Sequence, residues 1–425
     1  MTDNLFIAMS GGTTTVINGT LAGIVSAAQS CPSIGRIYAG CDGILGLLEG
    51  RLADLTDLSA AEMMRIRDTP GSSVIGTSRV AVIRPRELHH MRDVFRRLQI
   101  RYFINIGGNG TIKQTRRIAR HLGERLAVAA VPKTVDNDLG DGAFQVVYFT
   151  PGFPSCVNYW TRKLALLNIE NVGAASHDRV LVAQTFGRET GFIAGAARVA
   201  DVERRLPLLL LLPEDQQPLS AVLARIDAMV RCHGRVLVVI SEGYGIGNVG
   251  ERRDAIGQVM FGSCQTTAAQ LLVTACIDAG IQARSFIPTI DQRQAVADRL
   301  AFDLDLAVRL GSFAVERLAA GETAFLASVR AGTPDHPLIT IPFSSFSDYS
   351  RRMPPAWIDA GNFDVTDAYV EYLMSFFTYS RFETAYDSYH GRFASPLRSL
   401  VADPSRRPSA SRSVSADRNQ PEVPS

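Results

Sequence analysis

Residues 101–123, RYFINIGGNGTIKQTRRIARHLG, decide the fold. The β-prone run Tyr102–Ile106 passes directly into the turn Gly107–Gly108–Asn109–Gly110–Thr111, and a helix follows. That is strand, tight turn, helix. The same grammar recurs at LFIAMSGGTTTVINGTLAGIVSAAQS (5–30), where Ile17, Leu21, Ile24 and Val25 fall at helical spacing, and at RLAVAAVPKTVDND (125–138), DRVLVAQTFGRETGFIAGAARVA (178–200) and GRVLVVISEGYG (234–245). Strands alternating with helices predict an α/β protein with parallel sheets covered on both faces. In such sheets ligands bind beyond the carboxyl ends of the strands. Every chemically suggestive cluster falls at such an end, so the reading is one composite site.

The chain has 425 residues, long enough for two or three domains. Its 46% hydrophobic and 20% charged residues are those of a globular protein, which excludes a collagenous, coiled-coil or wholly disordered chain. A formal net charge of +2 gives no global reason to expect nucleic acid or an anionic membrane as partner. Only Lys113, Lys133 and Lys163 are lysines among 44 basic residues, so a lysine inside a polar motif stands out. The six cysteines are scattered, with neither a CxxC pair nor a nearby histidine at ligand spacing, and are read as reduced thiols. The N-terminus lacks a basic n-region and the longest aliphatic run is Leu208–Leu212, so a cytoplasmic location is expected. After about Gly332 the α/β rhythm gives way to aromatic residues (Phe343, Phe346, Tyr349, Trp357, Tyr369, Tyr372, Phe376, Phe377, Tyr379), expected to pack on the main body. From about Ala402 the composition cannot offset its ordering entropy, and the tail is expected to be disordered.

Among the clusters, PKTVDND (Pro132–Asp138) is the hardest to explain structurally. Two carboxylates, an amide, a threonine and a lysine crowd one strand end, and gathering like charges is costly without a metal, phosphate or cation. Such a group can supply a general base and metal-orienting ligands; a solvated acidic turn is the plainer alternative. GGNGT (Gly107–Thr111) and Ser10–Gly11–Gly12–Thr13 can bring backbone amides to a phosphate at a helix N-terminus, although an ordinary strand-to-helix turn accounts for either one alone. Phe186–Gly187–Arg188 and Ser241–Glu242–Gly243 end two further strands; an arginine there suits bidentate phosphate contact, a surface ion pair being the alternative. Gly245–Gly250 fits G-x-G-x-x-G but lies four polar residues beyond its strand, with no acidic residue ending a second strand about 20 residues on, and is read as a loop.

Together GGNGT, PKTVDND, SHDRVLVAQTFGR and SEG resemble, in order and spacing, the phosphofructokinase family of ATP- or pyrophosphate-dependent enzymes over about residues 4–330, and AGCDGILGLLEG and TPG most resemble its bacterial pyrophosphate-dependent branch. GGNGT alone also resembles NAD and diacylglycerol kinases, which lack the TxDxD step. The resemblance implies two doubly wound parallel-sheet domains: a phosphoryl-donor domain over 1–149 with a return segment about 251–330, and a sugar-phosphate domain over 150–250, followed by a C-terminal extension (331–400) and the tail (401–425). It implies Asp136 as general base, with Thr134 and Asp138 orienting substrate and magnesium. Gly11, Gly12, Gly108, Asn109, Gly110, Thr111 and Lys133 match the donor cradle, and Arg79 and Arg188 match arginines that neutralise the transferring group. Phe186, Gly187, Glu242, Arg179, Arg284 and Arg293 match the sugar-phosphate site. Some family arginines cross a subunit interface, which implies a homodimer or homotetramer. Asn109 and Asp138 are the implied magnesium ligands.

Three departures from the family pattern touch this expectation: Asn109 stands where many members have aspartate, Ile290 where they have histidine, and Phe186 where they have methionine. The resemblance implies fructose 6-phosphate or a related ketose phosphate as acceptor, and the last two departures, a larger aromatic and a lost imidazole, point to a ketose phosphate other than fructose 6-phosphate. Gly110 leaves a nucleotide unobstructed while Lys133 suits free pyrophosphate; an acid would block ATP whereas a lysine does not, so ATP is the expected donor and pyrophosphate the alternative. A catalytically weak sugar-phosphate sensor is the expectation from another class, and retention of Asp136, Asp138 and Arg188 argues against it.

Overall fold

The structure is a computed structural model that describes residues 3–80, 84–123, 125–253, 259–332, 336–345 and 351–377. The tail from Ala402, with Phe346, Tyr349 and Tyr379, lies outside the described residues. Among the described residues the first sheet is built from β1 (Asp3–Met9), β2 (Ile34–Gly40), β3 (Leu52–Asp54), β4 (Ile100–Gly107) and β5 (Ala127–Pro132). A second, smaller sheet comes from β6 (Val180–Thr185), β7 (Leu208–Leu211), β8 (Val236–Ser241) and β9 (Ala283–Phe286). The chain then returns to the first sheet with β10 (Phe325–Val329) and β11 (Leu338–Pro342). The strand orders are β11-β10-β5-β4-β1-β2-β3 and β7-β8-β6-β9. Pairing is parallel throughout the small sheet and through β10-β5-β4-β1-β2, with β3 and β11 antiparallel at the two edges. Near-continuous apolar strands are what a sheet covered on both faces requires, and β1, β6, β7 and β8 are buried accordingly.

Two boundaries differ from those expected. The stretch after residue 251 does not rejoin the first sheet at once, because β9 pairs with β6; the return comes with the helix Ala301–Ala319 and β10. Nor does the first sheet end before Gly332, since β11 closes its edge against β10. Beyond it, Trp357, Tyr369, Tyr372 and Phe376 form a stacked aromatic block, with Trp357 and Tyr372 centroids 4.7 Å apart. No helix among the described residues is long and apolar enough to cross a membrane, and all six cysteines are free.

What fixes the site is a close helix crossing. The helix Ile17–Gln29 follows the Gly11–Gly12 turn, and the helix Ala301–Ala319 follows the short helix Asp291–Gln294 that carries Arg293. A Cβ at Gly23 would lie 2.0 Å from the Val308 carbonyl oxygen, and one at Gly311 would lie 2.3 Å from that of Thr20. Glycine is therefore required for the two backbones to meet, and their contact carries Arg293 to Gly12, where a Cβ would stand 3.1 Å from an Arg293 Nη. Gly23→Ala should cost about 2 kcal/mol or more in urea unfolding, as overpacking against rigid backbone does. Gly173→Ala, whose Cβ meets nothing within 4 Å at the end of a helix, should leave stability unchanged or slightly raised. Equal stability of the two variants would contradict the crossing.

Candidate active site

The carboxyl ends of β4 and β5 in the large sheet meet those of β6 and β8 in the small one. At β4, a Cβ on Gly107 would lie 2.1 Å from the Thr111 hydroxyl, so the strand turns tightly into the helix Asn109–Leu122, whose first turn is closed by the Thr111 amide donating to the Gly108 carbonyl oxygen at 3.0 Å. Around Gly110 a Cβ would meet nothing within 4 Å, whereas one at Gly108 would be 3.8 Å from Thr134. Neither packing nor backbone conformation requires the open position at Gly110.

At the end of β5, Lys133 donates its backbone N–H to Gly107 (3.0 Å) and its Nζ to the Gly12 carbonyl oxygen. Its side chain is buried, beside Gly11. The Gly11 N–H donates to the Ser78 carbonyl oxygen at 3.0 Å, which seats the adjoining Arg79 next to the same turn. The Asp136 amide donates to the Thr134 hydroxyl (3.1 Å), and Thr190, just past β6, donates its hydroxyl to the Asp136 carbonyl oxygen (3.3 Å). From the small sheet, Ser241 at the end of β8 donates its hydroxyl to the Gly187 carbonyl oxygen, and a Cβ on Gly243 would lie 1.8 Å from that of Arg188. The Phe186–Gly187–Arg188 and Ser241–Glu242–Gly243 turns are thus one packed unit. Gln292 accepts from the Phe186 amide (2.9 Å) and the Trp160 indole (3.1 Å), and Arg293 lies over the Phe186 ring at 5.4 Å.

Electrostatics mark this junction. Burial, and then the neighbouring Arg293, lower Lys133 to about 7, against the pull of Asp136. Burial and the Asp136 carboxylate raise Asp138 to about 6, opposed by Arg188. Burial and Asp136 raise Glu242 to about 8, with Arg188 again opposing. Arg293 is lowered by burial and by Arg79. Carboxylates and cations from both sheets therefore share one desolvated volume. Among the described residues no three His, Cys, Asp or Glu side chains cluster as metal ligands. Magnesium held by one or two carboxylates and by substrate phosphates needs no such cluster. Asp138, whose Oδ1 is buried without a hydrogen-bond partner among the described residues, fits that role, and Asn109 heads the facing helix.

Not every expected residue joins this group. Arg179 precedes β6 and Arg284 lies in β9 opposite Leu181. Both are at the amino ends of the small sheet's strands, and the six residues of β6 separate them from Phe186 by about 20 Å. Arg284 instead pairs with Asp178 at 2.6 Å and is half exposed. Ile290 is 56% exposed, whereas the Phe186 ring lies beside Arg293. Gly245–Gly250 is irregular chain with no helix opening on it. Sequence reading missed Gln292 as a hydrogen-bond hub, for which the step Gln292–Arg293 was the available signal. It also missed Arg351 and Tyr372, which reach Asn137 from the C-terminal extension and carry no local sequence signal.

Glu242 gives a pH test. Between about 4.5, its unfolded value, and about 8 the folded chain holds a proton that the unfolded chain has lost, so this residue lowers stability as pH rises through that window. Glu242→Gln should match the wild type at pH 4.5 and be more stable in urea at pH 8.5. A constant difference across that range would contradict the burial of this carboxyl.

Comparison with known proteins follows the same outline. The Phosphofructokinase family profile matches residues 4–318. A pyrophosphate–fructose 6-phosphate 1-phosphotransferase of Halomonas elongata is 30% identical over 87% of this chain and 90% of its own. A sulfofructose kinase of Alkalicoccus urumqiensis is 26% identical over 82% of this chain and 90% of its own. The crystal structure of a pyrophosphate-dependent phosphofructokinase from Nitrosospira multiformis superposes with a TM-score of 0.77 at 28% identity, covering 88% of this chain and 91% of that one. The chain, a phosphotransferase with α/β sheets of this type, belongs to the phosphofructokinase family.

Proposed function

We propose that the protein transfers a phosphoryl group to the 1-hydroxyl of fructose 6-phosphate or a related ketose bearing an anionic 6-substituent, with Asp136 as general base. The observation that carries this reading is the meeting of the Asp136–Asp138 turn with the Arg188 and Glu242 strand ends, opposite the Gly11–Gly12 and Gly108–Thr111 turns. The turns that carry Gly12, Asn109 and Gly110, with Lys133 and Arg79, suit the donor's phosphates. In this reading Arg188 and Arg293 would face the charge that spreads over the transferring group, and Glu242 would hold sugar hydroxyls. As the sugar oxygen bonds to the terminal phosphorus, its proton passes to the Asp136 carboxylate and the bond to the leaving phosphate breaks. Positioning and preorganised charge supply most of the acceleration in such reactions. Magnesium, held by Asp138 and Asn109, would neutralise donor oxygens.

ATP is the donor that Gly110 supports, because the position carries no acid and a Cβ there would meet nothing within 4 Å. Pyrophosphate is the second reading, supported by the name of the Halomonas elongata relative and by the lysine beneath the cradle. Acceptors beyond fructose 6-phosphate are supported by Phe186 at the position next to Arg293 and by the sulfofructose kinase relative. Arg179 and Arg284, far from Asp136 in their own chain, support a homo-oligomer in which a partner subunit's small sheet completes the sugar-phosphate site.

Turnover with magnesium and fructose 6-phosphate should give fructose 1,6-bisphosphate, faster with ATP than with pyrophosphate. Gly110→Asp should lower kcat/KM for ATP by about 100-fold, through added bulk and charge, without loss of thermal stability. Unimpaired ATP turnover in Gly110→Asp, or faster wild-type turnover with pyrophosphate, would overturn the donor reading; no product from either donor would overturn fructose 6-phosphate as acceptor. Mixing Asp136→Ala with Arg284→Ala protomers should restore activity that neither has alone, and mixtures no more active than their parents would refute a shared site.

A further inference from the structure

We propose that Arg351, from the C-terminal extension, is a positioning residue of the phosphoryl-transfer site, fixing the Asp136–Asp138 turn from behind. The inference rests on the functional reading above. Arg351 is 2% exposed. Its Nε and one Nη donate to the Asn137 carbonyl oxygen at 3.1 and 2.8 Å, that Nη also reaches the Asn137 amide oxygen at 2.8 Å, and the other Nη donates to Val147. Its own amide donates to the Asp138 carbonyl oxygen at 2.7 Å. The guanidinium lies 3.9 Å from the Phe144 ring centroid. Each of these hydrogen bonds ends on a carbonyl oxygen of the main chain or of the Asn137 amide. A buried cation is a costly way to tie down carbonyls, unless the geometry it enforces is needed.

The residue it grips sits between the two aspartates. Asn137 has φ of +52°, a left-handed conformation, and is wholly buried. Every polar group of its side chain is engaged: Nδ2 donates to the Tyr372 hydroxyl at 3.0 Å, and Oδ1 accepts from Arg351 and from the Thr150 amide at 3.2 Å. Tyr372 in turn donates to the Tyr148 carbonyl oxygen at 2.9 Å. A left-handed asparagine costs conformational energy that only over-determined surroundings hold. Rotation of that one residue would swing Asp136 and Asp138 relative to each other, so the extension, through Arg351 and Tyr372, sets the separation and direction of the two carboxylates. The planar guanidinium fork is the feature a lysine lacks.

The test compares Arg351→Met, Arg351→Lys and Tyr372→Phe in the full chain, with hydrogen–deuterium exchange of the 133–140 peptide measured beside steady-state kinetics. Arg351→Met should lower kcat by about 100-fold with KM for fructose 6-phosphate within threefold, and exchange in that peptide should quicken. Arg351→Lys should recover Tm towards the wild type while kcat stays at least tenfold down, a split that a purely structural role does not produce. Tyr372→Phe, which deletes one hydroxyl, should lower kcat several-fold at unchanged KM, and keeps the proposal testable if Arg351→Met does not fold. Wild-type kcat in Tyr372→Phe, or an Arg351→Lys variant that regains kcat and Tm together, would overturn it. Should the wild type turn over neither donor, the functional reading fails by itself, and exchange still decides: unchanged protection of 133–140 in Arg351→Lys and Tyr372→Phe refutes the clamp.

Discussion

The cost of removing charge from water organises this molecule. One lysine, several carboxylates and several arginines meet where the strand ends of two parallel sheets converge, and none of them could be held there singly. Lys133 lies under Gly11 and Gly12, Asp138 and Glu242 are each raised by burial and by Asp136, and Arg188 opposes both shifts. The fold serves that convergence: the crossing at Gly23 and Gly311 brings the Arg293 helical turn to Gly12, and the serine at the end of β8 ties down the turn after β6.

Much of this was legible in the sequence because strand-end chemistry is local. An apolar run followed by GGNGT, PKTVDND, FGR or SEG announces both a buried parallel strand and the polar groups at its carboxyl end, and the strands β4, β5, β6 and β8 lie where those runs do. What escaped was set by tertiary contact. Nothing local says that Gly23 must meet the Val308 carbonyl, that Gln292 accepts from two distant donors, or that β9 belongs to the small sheet. Arg351 is the plainest case: in sequence it is one of 41 arginines, in a stretch without periodicity, and only the fold brings it to Asn137.

Arg179 and Arg284 illustrate a different boundary of sequence reading. The resemblance expects them with a sugar phosphate, yet they sit at the amino ends of β6 and β9, so that a single chain holds them about 20 Å from Phe186 along β6. Resemblance assigns a residue to a site without saying in which subunit. Geometry within one chain brings Gly12, Lys133, Asp136 and Arg293 together and holds Arg179 and Arg284 at the other end of the small sheet's strands.

The measurement that bears most directly on the account is the effect of Asp136→Asn on turnover and on sugar binding together. Removal of the base from an otherwise preserved site should lower kcat by about 1,000-fold, while calorimetry shows fructose 6-phosphate bound within threefold of the wild-type affinity. Turnover within tenfold of the wild type would contradict Asp136 as the group that takes the proton.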